Sequence, residues 1–214
     1  MTVYITAKTE YQLEAVRDFK KVKILSCLPD AVRENRPDAV KKLISQAEAV
    51  IIQNIDEIGL LKETDFNGDV IGGQLLYAYN SEAVGFYKTV FPAMKFIAPA
   101  ELTDDEIKEL EAASGVKFIY KVYGCQKLMT TAQYLNGTFR DEKKEEFIAL
   151  HDPVNNYSEI YTAKPVSMLD KKEAWRERDI LFEFTAETKE ETAKILETME
   201  VSDYIRGHHY KGID

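Results

Sequence analysis

The sequence predicts an α/β fold, a TIM-like (β/α) barrel of about eight units. Three observations support this prediction. Short apolar runs alternate with longer segments of helical character along most of the 214 residues. Several of these helical segments open at paired Thr and Glu or Gln residues three positions apart, the spacing of a capping box. Strands that alternate with helices favour a parallel sheet with right-handed crossovers. An open or incomplete barrel is the alternative, because this length is near the small end for a closed one.

Each predicted strand is an apolar run bounded by turn residues or by a change to polar sequence. The predicted strands cover residues 3–5, 22–28, 49–53, 70–76, 95–98, 118–123, 160–163 and 180–184. The sixth strand, 118–123, is rich in β-forming residues and breaks at Gly124. A buried strand that ends in a glycine and a small polar cluster is how α/β folds present groups at the carboxyl edge of a sheet.

The predicted helices lie between these strands and begin at recognisable capping signals. Capping boxes are formed by Thr9 with Gln12, Thr103 with Glu106 and Thr188 with Glu191. Pro37 is placed near the start of another helix, where its missing N–H costs nothing. A further helix begins at Asn80 or Ser81 and continues through Phe91, and shorter helices are predicted over 55–62 and 171–177.

The alternation of strands and helices lapses over residues 137–150. This segment is strongly charged and contains two stretches of alternating polarity. We interpret it as a β-hairpin inserted after the sixth strand. Residues 1–214 are otherwise predicted to form a single domain, which is long enough to bury a sizeable core.

The amino-acid composition limits the kinds of partner that this protein is expected to bind. The net charge of -9 and the pI near 5.0 argue against a general nucleic-acid or anionic-membrane binder. No apolar run approaches the ~20 residues that a membrane helix needs. The N-terminal residues contain no basic segment followed by an apolar one, so we expect a cytoplasmic protein with no membrane partner. Cys27 and Cys125 are expected to be free thiols in a reducing compartment.

Glu101 is the predicted catalytic residue. It follows the fifth strand directly, and the carboxyl ends of barrel strands face the side on which active sites are built. A carboxylate there can act as a general base or bind a cation. The structural alternative is a loop carboxylate that accepts hydrogen bonds from backbone N–H groups. Four amides also lie at or beyond predicted strand ends, where they can orient a substrate: Gln53, Asn54, Gln74 and Asn80. For Asn80 the alternative is a helix N-cap.

Cys125 is a second catalytic candidate, because a thiolate nucleophile could form beside a basic histidine. The candidate bases are His151, His208 and His209. No cysteine-protease signature surrounds Cys125, and free cysteines usually behave as small hydrophobes. The histidines lack the spacing of a metal site, so no metal is predicted.

Tyr123 and Lys127 are predicted to line the mouth of the barrel as substrate-binding residues. Basic residues near Tyr123 and Tyr134 could also hold single-stranded RNA: Lys121, Lys127, Arg140, Lys143 and Lys144. Three glutamates interrupt this set, at 142, 145 and 146, so a solvated hairpin is the favoured interpretation. An RNA partner is therefore possible but is not favoured by the net charge.

Several stretches resemble, in order and spacing, the C-terminal catalytic-type region of the collagenase-like U-thirty-two peptidase family. They are AVIIQNIDEIGLLKE, GGQLLYAYN, IAPAELTDDEI, VYGCQKLM, IYTAKPVSMLD and YIRGHHYKGID. The resemblance implies a TIM-barrel-like fold and the hydrolysis of a peptide or protein substrate. It also implies a possible cofactor, because some relatives hold an iron–sulfur cluster on four cysteines and support oxygen insertion into RNA bases or quinones.

This chain departs from the family pattern at the positions of the cluster cysteines. Those positions hold Tyr134, His151, Pro153 and Asn156, and two cysteines cannot supply four thiolates. We therefore predict no iron–sulfur cluster and no other cofactor. Two hypotheses follow: a peptidase-like protein, or an RNA-modification accessory or substrate-binding barrel that has lost its cofactor. A basic, uncovered mouth would favour RNA, whereas an acidic cleft long enough for an extended chain would favour peptide.

Overall fold

The computed structural model describes residues 2–6, 15, 19, 22–28, 37–153 and 155–207. The capping box predicted at Thr9 with Gln12 lies outside these residues, as do His208 and His209. In chain order the strands are β1 (Val3–Thr6), β2 (Val22–Ile24), β3 (Ser26–Cys27), β4 (Ala49–Ile52), β5 (Asp69–Gly72), β6 (Lys95–Phe96), β7 (Tyr120–Gly124), β8 (Lys127–Thr131), β9 (Gly137–Arg140), β10 (Glu146–Asp152), β11 (Tyr157–Thr162), β12 (Val166–Ser167) and β13 (Ile180–Glu183).

The described helices match most of the predicted ones. They are α1 (Pro37–Gln46), α2 (Asp56–Glu63), α3 (Ser81–Val90), α4 (Asp104–Ser114), α5 (Lys172–Trp175) and α6 (Lys189–Thr198). The capping boxes at the starts of α4 and α6 are confirmed, and so is the N-cap of α3, where Asn80 Oδ1 accepts from the N–H of Ala83 at 2.9 Å. None of these helices combines the length and the apolar character needed to cross a membrane.

The described strands form three sheets. One has the order β12-β7-β13-β1-β2, in which β12 runs antiparallel to β7 and the other pairs are parallel. The second has the order β3-β4-β5-β6 and is parallel throughout. The third, β8-β11-β10-β9, is antiparallel. The hairpin predicted over 137–150 is thus present as β9 and β10, but it forms half of a sheet rather than an isolated insertion.

The predicted TIM-like barrel is wrong. Among the described residues the strands are divided among three separate sheets, so neither one ring of eight parallel strands nor one open curved sheet describes the fold. The decisive error lies at 160–163, which was predicted to be the parallel strand of a further unit. Those residues belong to β11, which pairs antiparallel with β10 and β8. An apolar run has the same appearance in both settings, because its periodicity does not specify the partner strand.

A second difference concerns the predicted strand 70–76. The observed strand β5 ends at Gly72, and residues Gln74–Leu76 form a turn of 3-10 helix. Tyr77 then adopts a left-handed conformation with φ of 51°, which turns the chain away from the sheet. This early end of the strand places Gln74 in a loop beyond the sheet.

The two sheets with parallel strands share an apolar cluster. It contains buried residues from strands of both sheets and from the segments beside them: Tyr4, Leu25, Ala49, Ile51, Ile71, Ile97, Ile119 and Leu181. Two contacts also join the sheets directly. Leu25 N–H donates to the carbonyl of Ile5 at 2.9 Å, and Ile97 forms an isolated parallel bridge with Ile119. A larger apolar cluster packs the helices against the other faces of the same strands.

Glu111 connects α4 to the strands. Its side chain is 3% exposed and forms ion pairs with Lys117 at 3.1 Å and with Arg178. It also accepts a hydrogen bond from the N–H of Phe118 at 3.0 Å, and Arg178 lies 4.4 Å from the ring centroid of Tyr120. Burial acts to raise the pKa of Glu111, but these hydrogen bonds outweigh it and hold the pKa below its ordinary value. Glu111 therefore stabilises the fold as a carboxylate.

We predict that Glu111→Gln lowers the free energy of unfolding by about 2–4 kcal/mol, because Arg178 would lose its buried ionic partner. Chemical denaturation at neutral pH measures this change. The matched control is Glu109→Gln on the exposed side of α4, where we expect almost no effect. Because the folded-state pKa of Glu111 is lowered, its contribution is present above the unfolded pKa near 4.3 and is lost as the pH falls below it. Equal stabilities of the two variants would contradict this role.

Candidate functional site

Residues at and beyond the carboxyl ends of the parallel strands line a cleft with two lobes. The smaller lobe has a volume of about 190 Å³ and the larger lobe about 400 Å³. Six residues line both lobes: Gln74, Glu101, Lys121, Gln126, Lys127 and Leu128. Of the residues predicted from the sequence, Glu101, Gln74 and Lys127 are therefore brought together here.

The two lobes differ in their remaining residues. The smaller lobe is lined by polar groups from several strand ends together with apolar side chains: Cys27, Ile51, Gln53, Leu75, Tyr77, Tyr79, Ile97, Leu181 and Glu183. The larger lobe is mostly apolar, with Ala98, Ala100, Thr162, Val166, Ile205 and Gly207. The larger lobe thus depends on β11, β12 and the C-terminal segment as well as on the parallel strands.

Glu101 occupies the loop between β6 and α4 and is half-buried. Its Oε2 atom is buried and has no hydrogen-bond partner among the described residues. Burial, followed by the hydrogen bond and the negative charge of Glu101, raises the pKa of Tyr79 well above its ordinary value. Tyr79 therefore stays a neutral hydrogen-bond donor beside the carboxylate. A buried carboxylate oxygen without a hydrogen-bond partner is uncommon in native proteins, so this oxygen marks a candidate functional site.

Two lysines of the cleft are neutralised by carboxylates. Lys121 is 7% exposed, and its Nζ lies 3.1 Å from Glu183 at the end of β13. Lys127 Nζ lies 3.2 Å from Glu159, which also accepts a 2.8 Å hydrogen bond from the hydroxyl of Tyr161. Glu101 has no ion pair with a lysine or arginine in the part of the chain that the structure describes. The cleft therefore contains balanced charge pairs and one additional carboxylate.

Gly124 allows the close approach of β7 and β13 beside the first of these pairs. Its φ is 147°, and a Cβ atom there would lie 2.6 Å from the carbonyl oxygen of Glu183. A larger residue would separate the strands and move Glu183 away from Lys121. Sequence reasoning missed the role of Glu183, although its position at the carboxyl end of a predicted strand is the same signal that identified Glu101.

Gln53 and Gln74 both line the smaller lobe of the cleft. Gln53 follows β4, whereas Gln74 lies beyond β5 only because that strand ends earlier than predicted. Gln74 Nε2 donates to the carbonyl of Ala98 at 3.1 Å, which holds this side chain across the gap between β5 and β6. Gln53 Nε2 lies 3.3 Å from Cys27 Sγ. The Oε1 atom of Gln53 is buried without a hydrogen-bond partner among the described residues, and a Cβ atom on Gly73 would lie only 2.1 Å from it.

Asn54 and Asn80, predicted to bind substrate, begin helices instead. Asn54 Oδ1 accepts from the N–H groups of Asp56 at 2.9 Å and Glu57 at 3.2 Å. Asn80 is the N-cap of α3, as its alternative interpretation anticipated. Neither side chain lines either lobe of the cleft.

Tyr123 and Cys125 line a different cavity, which has a volume of about 830 Å³ and lies beside α6. Tyr123 donates a 2.7 Å hydrogen bond to Glu187 Oε1. Cys125 is 3% exposed, and burial, with a further contribution from the charge of Glu187, raises the pKa of its thiol to about 11. This environment favours a neutral thiol. The candidate base His151 contacts Ser158 on the antiparallel sheet, at 3.3 Å, and does not line this cavity.

The basic residues considered for RNA do not form one surface. Lys121 is buried in the cleft, whereas Arg140 is exposed on β9 and is paired with Glu146. Lys143 and Lys144 lie at the turn between β9 and β10. Within the described residues, no cluster of three or more His, Cys, Asp and Glu side chains is arranged to hold a metal ion.

Comparisons with known proteins leave the family open. No family model matches the chain. No curated protein matches it significantly. Among solved structures, it is similar to the spore cortex-lytic enzyme SleL of Bacillus megaterium QM B1551, with 10% identity and a TM-score of 0.35. That alignment covers 95% of this chain and 75% of the other. A similarity this low supports no conclusion about fold or function.

We predict that Gly73→Ala displaces the side chain of Gln53 and destabilises the protein by about 1–3 kcal/mol, because the new methyl group would overlap the Gln53 amide. Denaturant unfolding measures the loss of stability. Gly85→Ala is the matched control, since a Cβ atom there meets nothing within 4 Å on an exposed helix surface. That control should be neutral or slightly stabilising. A neutral Gly73→Ala would show that Gln53 is not held against Gly73.

We predict that Cys125 resists alkylation by iodoacetamide in the folded protein near pH 8. With a thiol pKa of about 11, only a very small fraction is thiolate at that pH, and the side chain is buried. Mass spectrometry of labelled peptides measures the extent of reaction, and the urea-unfolded chain provides the reference rate. Rapid labelling of Cys125 in the native protein at pH 8 would show that it is an accessible, activated thiol.

Proposed function

We propose that this chain is a peptidase-like protein that binds a peptide or protein substrate in the two-lobed cleft and hydrolyses a peptide bond there. The observation that carries the proposal is the buried, unpartnered Oε2 of Glu101 in a position that lines both lobes. A substrate that spans the cleft would pass this oxygen. Glu101 is therefore the group proposed to act as general base.

The resemblance to the collagenase-like family supports the same cleft. Each of the six resembling stretches contributes at least one residue to its lining: Gln53, Gln74, Glu101, Lys127, Thr162 and Ile205 are one from each. These stretches are dispersed along the chain. Their convergence is expected if the resemblance reflects a shared binding site rather than a shared pattern of strands and helices.

The charges of the cleft favour a peptide over RNA. Nucleic-acid binding depends on lysine and arginine side chains that are free to neutralise phosphates. Here Lys121 and Lys127 are each paired with a glutamate, and Glu101 adds negative charge. Two connected lobes also suit an extended chain, with neighbouring side chains placed in each lobe. The additional carboxylate agrees with the acidic cleft expected for peptide binding.

The proposed reaction is the addition of water across a peptide bond. Glu101 removes a proton from a water molecule as the water oxygen attacks the carbonyl carbon. The C=O π electrons move to the oxygen, which carries the negative charge of the tetrahedral intermediate. Collapse of this intermediate breaks the C–N bond, and the proton held by Glu101 passes to the leaving amine. The products are a carboxylic acid and an amine, and no electrons are transferred to or from a cofactor.

We also propose that the protein acts in the cytoplasm. Cys125 is a free, buried thiol. Unpaired cysteines are typical of reducing compartments, whereas secreted proteins usually oxidise them.

We predict that Glu101→Gln lowers the rate of peptide hydrolysis by about 100-fold or more, because an amide cannot accept the proton of the attacking water. The measurement is cleavage of gelatin and of a mixed peptide library by the purified chain, with circular dichroism to confirm that the fold is retained. Glu109→Gln, an exposed change of the same type on α4, should leave the rate unchanged.

Two results would contradict the proposed function. Unchanged turnover in Glu101→Gln would remove Glu101 from the mechanism. An absence of cleavage by the native chain on every substrate would show that it is not a peptidase by itself.

A further inference from the structure

The smaller lobe of the cleft contains two buried acceptor oxygens that the described residues leave without hydrogen bonds. They are Gln53 Oε1 and Glu101 Oε2. Both residues line the lobe. More than about nine in ten buried polar groups in native proteins have a partner, so two such atoms in one small cavity require an explanation. A ligand that donates N–H groups would provide it.

The charge of the lobe specifies the kind of donor. Glu183 is neutralised by Lys121, so the carboxylate of Glu101 is left as the uncompensated charge among the described residues of this lobe. A cation would be attracted to it, and an anion would be repelled. The ligand that best fits this lobe is therefore an ammonium group, which has three N–H donors and no acceptor.

The walls of the lobe fit an aliphatic stem. Ile51, Ile97 and Leu181 provide apolar surface beneath the polar rim. Tyr77 and Tyr79 form an edge-to-face pair with ring centroids 5.7 Å apart, and both line the lobe. Aromatic faces attract cations as well as apolar groups. The volume of about 190 Å³ is below the usual range for a drug-sized ligand and is suited to an aminoalkyl group.

Contacts on both sides of the Gln53 amide hold its side chain in one position. A side chain on Gly73 would overlap Gln53 Oε1, so the glycine keeps the space that this amide occupies. On its other side the amide contacts Cys27 Sγ at 3.3 Å through Nε2. With Nε2 engaged, the oxygen is the atom left to receive a ligand.

We infer that the smaller lobe binds a primary ammonium group of the peptide substrate, either its free amino terminus or a lysine side chain. The ammonium donates to Gln53 Oε1 and is attracted by the carboxylate of Glu101. Gln53 is thus a specificity-determining residue. The inference rests on the proposed function for the identity of the substrate, but it is tested as binding and not as turnover.

The experiment is isothermal titration calorimetry of the purified chain with four short peptides. One is alanine tetrapeptide amide with a free amino terminus, and the second is its N-acetylated form. The third and fourth are acetylated peptides with lysine or with norleucine at the second position. The first pair tests the amino terminus and the second pair tests the lysine side chain. We expect at least one ammonium-bearing peptide to bind about tenfold or more tightly than its neutral counterpart, the effect of one charge-assisted hydrogen bond.

Amino-acid substitutions test whether the smaller lobe is the source of this binding preference. Glu101→Gln and Gln53→Leu should each reduce it severalfold, because one removes the charge and the other removes the acceptor. Gln53→Glu keeps an acceptor oxygen and should retain the preference. This variant therefore controls for a loss of binding that is caused by misfolding. Gln133→Leu, an exposed change of the same type in the connection between β8 and β9, should behave as the native chain.

The possible failures are distinguishable. Equal binding of both members of each pair, no binding of any peptide, or a preference that survives both Glu101→Gln and Gln53→Leu would overturn the ammonium site. Cleavage of peptides without such a preference would also overturn the ammonium site while supporting the proposed hydrolysis. A clear preference without cleavage would support the site and overturn the proposed reaction.

Discussion

The ion pair between Lys121 and Glu183 is the constraint on which the cleft depends. It joins Lys121, near the start of β7, to Glu183, the last residue of β13, and it is largely removed from solvent. Removing one partner of a buried pair leaves an uncompensated charge, which costs about 3–5 kcal/mol in other proteins. The pair therefore holds the two strands in one arrangement, and the close approach at Gly124 makes that arrangement possible. Lys121 also lines both lobes, so this contact positions one wall of the cleft.

The position of Glu101 depends on a second set of contacts. Its loop is bounded by β6 on one side and by the capping box of α4 on the other. At the far end of that helix, Glu111 binds the chain before β7 and Arg178 before β13. The helix start is thus defined locally by its capping box, and its far end is anchored to the chain before β7 and β13. A catalytic or binding carboxylate benefits from such support, because its geometry must be set before the ligand arrives.

The antiparallel sheet explains both the error in the predicted fold and the composition of the cleft. It occupies the sequence between β7 and β13, where further β-then-α units were expected. From this position it contributes Lys127, Leu128 and Thr162 to the cleft and places Glu159 beside Lys127. The departure from the predicted fold is therefore part of what builds the candidate site.

The sequence by itself determined the local features of this protein. The strands at 49–53, 95–98 and 180–184 were identified to within one or two residues, as were the capping boxes at Thr103 and Thr188. Glu101 lies directly beyond the strand at 95–98, where the sequence placed it. These features depend on hydrogen bonds and periodicity within a few residues, which the order of residues specifies directly.

Only the tertiary structure decided which distant segments meet. Three contacts join groups that no local pattern relates. They are the antiparallel pairing of β11, the ion pair of Lys121 with Glu183, and the contact of Gln53 with Gly73. Tyr123 lies in β7 and Cys125 directly follows it, a few residues before Lys127, yet both line another cavity. Strand pairing and side-chain placement depend on packing against remote neighbours, so their free energies are not encoded in any short stretch of sequence.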